Sequence, residues 1–93
     1  MTCFEITPFI GKTVRVSWID PTGYPGGWCE QQDALDLRPA RCFTLGIILQ
    51  VKEQAIVIAG SGNEDSEDEP EYGDVNAIPC HCVTGIEELN AKT

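Results

Sequence analysis

Apolar and polar residues alternate with period two along two stretches of this chain, the repeat of a half-buried β-strand. Across Thr13-Val-Arg-Val-Ser-Trp-Ile19, Val14, Val16 and Trp18 fall on one side, with Thr13, Arg15 and Ser17 on the other. That alternation assigns Trp18 to the core. Across Arg41-Cys-Phe-Thr-Leu-Gly-Ile-Ile-Leu-Gln-Val51, one face carries Phe43, Leu45, Ile47, Leu49 and Val51. The other carries Cys42, Thr44, Gly46, Ile48 and Gln50. Gly46 predicts a sharp bend or bulge, because a residue without a Cβ weakens a regular ladder. Lys52-Glu53 makes a tight connection to Gln54-Ala-Ile-Val-Ile-Ala59, so this pair predicts a β-hairpin. Residues 75–83 and 85–89 read as two further short strands.

The intervening segments are rich in breakers. Asp20-Pro-Thr-Gly-Tyr-Pro-Gly-Gly27 is a turn-rich loop, since proline fixes φ and glycine permits positive φ. From Cys29 to Leu37 the only large apolar residues are Leu35 and Leu37, so this stretch predicts a long loop with at most one turn of helix. Arg38-Pro39 closes it. Residues 60–74, Gly-Ser-Gly-Asn-Glu-Asp-Ser-Glu-Asp-Glu-Pro-Glu-Tyr-Gly-Asp, hold no apolar set for a core and predict a mobile acidic loop.

Five short strands bracketed by 9 glycines and 6 prolines in 93 residues indicate an all-β fold. A closed or nearly closed sheet removes exposed edges, so the expected architecture is a small five-stranded barrel. It has a long first loop and an acidic loop before the last strands. One domain spans 1–93, and a compact chain of this length has a radius of gyration of about 12 Å. That size leaves no room for a two-domain cleft or a large internal cofactor cavity.

Two resemblances accompany this reading. Ile78-Pro79-x-x-x-Val83 resembles the Ile-Pro-x-x-Tyr-Val ending of Src-homology-3 domains, where proline precedes a single 3₁₀ turn. Cys82 stands where that family has tyrosine. The Ala-Leu-Tyr-Asp-Tyr opening and the Trp-Trp pair of its signalling members are absent, so the resemblance implies the barrel and not proline-peptide recognition. A wider pattern spans nearly the whole chain: Val-x-Trp-Ile-Asp (16–20), Gly-Trp (27–28), Cys-x-Thr-x-Gly (42–46), Ile-x-Ile-Ala (56–59), Tyr-Gly-Asp (72–74), Ile-Pro (78–79) and Ile-x-x-Leu (86–89). Their order resembles small accessory proteins encoded by bacteriophages and prophages. That resemblance implies a compact accessory protein and attaches no activity.

Catalytic and metal chemistry find little support. Five cysteines are present (Cys3, Cys29, Cys42, Cys80, Cys82), and the N-terminal residues have neither the basic nor the apolar region of a secretory signal. The expected location is the cytoplasm, of the host cell if the chain is phage-encoded, with the thiols reduced. No apolar run approaches the length of a membrane span. Cys80-His81-Cys82 lacks zinc-ligand spacing, and on a strand His81 would point away from its two neighbours. No Gly-x-Ser-x-Gly and no phosphate-binding loop occurs. The expectation is a protein that is not an enzyme and holds no cofactor or metal.

Charge carries more information. Of 15 acids, seven (Glu64, Asp65, Glu67, Asp68, Glu69, Glu71 and Asp74) stand within eleven residues, and the chain's net charge is −9. This balance opposes direct nucleic-acid binding. Calcium-loop spacing fails, because Asp68 occupies the position that needs glycine. The alternatives are a solvated loop that prevents aggregation and a lure that imitates phosphates and engages a basic surface on a host protein. Anti-defence proteins of phages use the second device. Tyr24, Trp28 and Tyr72 could add an aromatic shelf beside the carboxylates. A different class of function is a homo-oligomer that sequesters a small ligand such as a signalling nucleotide. Its phosphates would need cations from Lys12, Arg15, Arg38, Arg41, Lys52 and Lys92, with Arg38 and Arg41 the favoured pair. Without the seven clustered carboxylates, 8 acids face 6 bases, so the rest of the molecule carries only −2.

Overall fold

A computed structural model describes residues 1–65 and 67–90; Ser66 and Lys92, both part of the readings above, lie outside them. Five antiparallel strands form one sheet: β1 Thr13–Asp20, β2 Ala40–Lys52, β3 Ala55–Asn63, β4 Glu71–Pro79 and β5 Val83–Glu88. Their order is β4-β3-β2-β1-β5. The sheet keeps β4 and β5 as its two edges, and no ladder joins them among the described residues. It nevertheless coils around one core. Val14 and Val16 of β1, Ile48 of β2, Ile56 and Ile58 of β3, Ile78 of β4 and Val83 of β5 all enter a single buried cluster.

Each strand of the sequence reading is present, with three differences. First, residues 60–74 are not an irregular loop, since β3 and β4 extend into them from both sides. Second, Cys80–Cys82 form a 3₁₀ turn and not the end of the strand that 75–83 suggests; a single such turn after the proline is what the Ile78-Pro79 resemblance implies. Pro79 cannot donate to a ladder, and the chain must cross here from one edge of the sheet to the other. Third, a short helix α1 (Cys3–Ile6) runs into a 3₁₀ turn, Thr7–Phe9, ahead of the sheet. A capping box starts α1: the Thr2 hydroxyl accepts from the Glu5 N–H, and the Glu5 carboxylate accepts from the Thr2 N–H. Ile6, fully buried, is the residue this segment contributes to the core. The amino group of Met1 donates to the carbonyls of Cys80 (3.2 Å) and Val83 (2.7 Å), which ties the segment to the crossing turn.

β2 decides how the sheet faces. Phe43, Leu45 and Ile47 point outward and stay 59, 51 and 41 % exposed, while Cys42, Thr44 and Gly46 point inward. A bulge between Ile48 and Gln50 then reverses the alternation, so that Ile48 and Val51 both reach the core. At Gly46 there is no room for any side chain. A Cβ on Gly46 would collide with the carbonyl oxygen of Ala59 as β3 passes over it. Gly46 is therefore a point of close backbone approach, and the bulge itself comes three residues later. Trp18 lies on the inner side as expected, packed against the core, with its Nε1 donating to Thr44 Oγ1 at 3.0 Å.

Between β1 and β2, residues 21–39 are exposed throughout. Helix α2, Gln31–Asp36, is slightly longer than one turn and buries none of its residues. No helix among the described residues is long and apolar enough to cross a membrane.

Candidate functional site

The seven clustered carboxylates stand on or beside a two-stranded arm. Ser61 pairs with Gly73, Gly62 with Tyr72 and Asn63 with Glu71, continuing the β3–β4 ladder past the last core residues. Ladder hydrogen bonds satisfy the backbone here without a buried face, so small and charged residues suffice. At its root Gly60 faces Asp74, whose φ of 53° is left-handed. A Cβ at Gly60 would come 3.1 Å from that of Asp74, a tight approach that favours a small residue at this level of the arm. Asp tolerates the left-handed region better than most residues. Asp74 thus has a backbone role as well as a charge. At the tip, the Asp65 N–H donates to Asn63 Oδ1 at 2.9 Å. All seven acids are exposed.

The molecule is elongated. Its principal extents are 55 × 31 × 27 Å, and the radius of gyration of 16.7 Å well exceeds that of a compact chain of this length.

Where the arm meets the sheet it encloses a groove of about 690 Å³. Thr13, Ile47 and Ala59, which form one row across β1, β2 and β3, line one side. The other side is the arm itself, with Glu64, Asp65 and Tyr72. An apolar floor, two carboxylates and a phenol are therefore brought together. Glu67, Asp68, Glu69 and Glu71 do not line this groove.

No family model, curated protein or solved structure matches this chain.

The remaining sequence candidates separate. Tyr24 and Trp28 sit on the 21–39 excursion, away from the groove lining, and Trp28 is 98 % exposed. The excursion is closed at its base by Thr22 Oγ1 donating to the Arg38 carbonyl at 2.5 Å. Arg38 is on that excursion, whereas Arg41 stands on the outer face of β2. The arginine that shares a cleft with Arg41 is Arg15, whose guanidinium lies 4.5 Å from the centre of the Phe43 ring. Ile47, Phe43 and Arg15 are the residues that alternation alone does not single out. Their role depends on which face of β2 is outside.

The cysteines do not converge as a group. Cys3 packs beside buried Cys80, while Cys29 is exposed and Cys42 lies on β2. Burial, reinforced by a hydrogen bond with the Cys3 thiol, pushes the Cys80 thiol up to about 11. A protonated, enclosed thiol is a poor nucleophile. His81 is exposed on the 3₁₀ turn, and no cluster of three or more ligating side chains occurs among the described residues.

Proposed function

We propose that this protein is a non-enzymatic binding module that holds a basic segment of a partner protein between its acidic arm and the sheet. The observation that carries this reading is the juxtaposition of Glu64, Asp65 and Tyr72 with Ile47 and Ala59 across one groove. Lysine and arginine pair a long apolar stem with a charged head. The stem suits the Ile47–Ala59 floor, and the head suits the carboxylates. The remaining acids of the arm extend the negative field outward, which accelerates encounter with a positive surface. The resemblance to phage-encoded proteins directs the search for a partner to host proteins whose basic grooves bind nucleic acid. Inhibition of a host defence would be the consequence, with the arm's carboxylates standing in for phosphates.

The test compares the protein with a variant in which Glu64, Asp65, Glu67, Asp68, Glu69 and Glu71 become the corresponding amides. Binding to a peptide alternating lysine and leucine is followed by fluorescence anisotropy at about 50 and about 200 mM salt, on either side of the ~10 Å screening length. The native protein should bind the peptide more weakly at the higher salt, and the amide variant should not bind it. The same dependence should govern capture of host proteins from lysate. Equal binding by both proteins, or binding indifferent to salt, overturns the reading.

A further inference from the structure

The outer face of β1 and β2 carries a second cleft, which brings two arginines, Arg15 and Arg41, together with Phe43. Register places Arg15 beside Leu45, Ser17 beside Phe43 and Ile19 beside Arg41. Arg41 and Phe43 are two residues apart on β2 and so share the outer face. Arg15 leans along the sheet until its guanidinium covers the Phe43 ring, 4.5 Å from its centre. Arg41 lines the same cleft as Arg15 and the exposed Phe43 ring. Across β5, Gly85 pairs with Ser17, and the space where its Cβ would stand is open. Thr84 of β5 lines the cleft, which as a whole measures about 530 Å³. That volume lies within the ~300–1,000 Å³ typical of small-molecule sites.

Neither arginine of this cleft is held in an ion pair among the described residues. Register places Glu87 opposite Arg15, and Asp20 follows Ile19, yet neither carboxylate is within ion-pair distance of Arg15 or Arg41. The one ion pair among the described residues joins Lys12 and Glu88 at 3.5 Å. An arginine resting on an aromatic ring keeps its planar fork ordered and free for an oxyanion. The cleft and the groove at the arm share no lining residue.

We propose that this cleft binds a phosphorylated small molecule with a planar ring, of the nucleoside mono- or diphosphate class. Arg15 and Arg41 take the phosphate, by the bidentate hydrogen bonding that guanidinium groups offer to phosphate oxygens. The ring lies against the exposed surface of Phe43 and Ile19. Ser17 Oγ is placed to bond the sugar. This site is built from residues that the groove at the arm does not use, so either proposal can fail without the other.

The full-length protein would be titrated at low salt with a nucleoside monophosphate, a nucleoside diphosphate, the parent nucleoside and inorganic phosphate, followed by heteronuclear NMR. The expected result is saturable shifts at Arg15, Ser17, Arg41 and Phe43. The nucleotides should bind about tenfold or more tightly than either the nucleoside or phosphate alone, because each fragment makes only half the contacts. Arg41→Ala should weaken binding about tenfold, as loss of a charge-assisted contact does. Arg15→Lys, which keeps the charge and loses the fork, should weaken it as well. Arg38→Ala and the amide-substituted arm should bind as the native protein does. Unchanged melting temperatures separate loss of binding from loss of fold. No saturable shift at millimolar nucleotide, native affinity in the Arg41 variant, or phosphate binding as tightly as nucleotide would each overturn the proposal.

Discussion

At Gly46 the sheet leaves no volume for any side chain, because the Ala59 carbonyl occupies the place of a Cβ. The obstacle is backbone in a paired strand and cannot swing aside. Gly46→Ala should therefore lower stability by about 2–3 kcal/mol, as overpacking of a tight interior does. The measure is the urea midpoint, with an unchanged m-value showing that the denatured state is unaffected. Cys80 offers a test of another kind. Its folded-state thiol titrates at about 11, against an ordinary value of 9.0, because burial disfavours the thiolate. Folding thus favours the neutral form. That stabilisation is complete below pH 9 and disappears as pH rises through 11. Urea midpoints measured over this window should fall for the native protein and fall less for Cys80→Ala. Neither property is visible in the letters: a glycine in a strand signals some irregularity, and a cysteine reveals nothing of its burial.

Among the elements, the β2–β3 hairpin shows local chemistry yielding to tertiary demand. Lys52 pairs with Ala55, so the turn residues are Glu53 and Gln54, with φ of 49° and 63°. Two positive φ values define a type I′ turn, which asparagine and glycine favour and side chains such as these do not. The register is held elsewhere, by the Cys80 N–H donating to the Gln54 carbonyl at 2.8 Å and by the buried Ile56 and Ile58. Replacing Glu53-Gln54 with Asn-Gly should raise stability by about 1 kcal/mol through relief of left-handed strain. A thermal melt measures this directly. Alternation located β1, β2 and the start of β3 well, because a half-buried strand writes its period into the sequence. It could not locate the arm. A ladder with both faces in solvent imposes no apolar period, so Gly60–Asn63 and Glu71–Asp74 look like loop.

For the molecule as a whole, the arm and the body are separable. No core residue lies beyond Ala59 on β3 or before Val75 on β4. Removing residues 61–73 would leave Gly60-Asp74 as a two-residue turn between the paired Ala59 and Val75, with Asp74 already left-handed. This shortened protein should melt at the native temperature. Its radius of gyration by X-ray scattering should move from 16.7 Å toward the ~12 Å of a compact chain. It should also lose the basic peptide while keeping the nucleotide. A fall in melting temperature would show that the arm supports the core.

What the amino-acid sequence settled alone was the class of fold, the inward side of β1 and the concentration of acid in one segment. These follow from periodicity and composition, which act locally. Three matters were left to the tertiary structure: which side of β2 faces out, that the acidic segment is a paired arm, and which arginine joins Arg41. Each depends on contacts between residues far apart in the chain. The bulge after Ile48 reverses one strand's alternation, the close passage of Ala59 admits only glycine at position 46, and the register of β1 on β2 sets Arg15 diagonally across from Phe43, within reach of its ring. A one-residue shift in any of these would exchange the two faces of the sheet, and with them the residues offered to a partner.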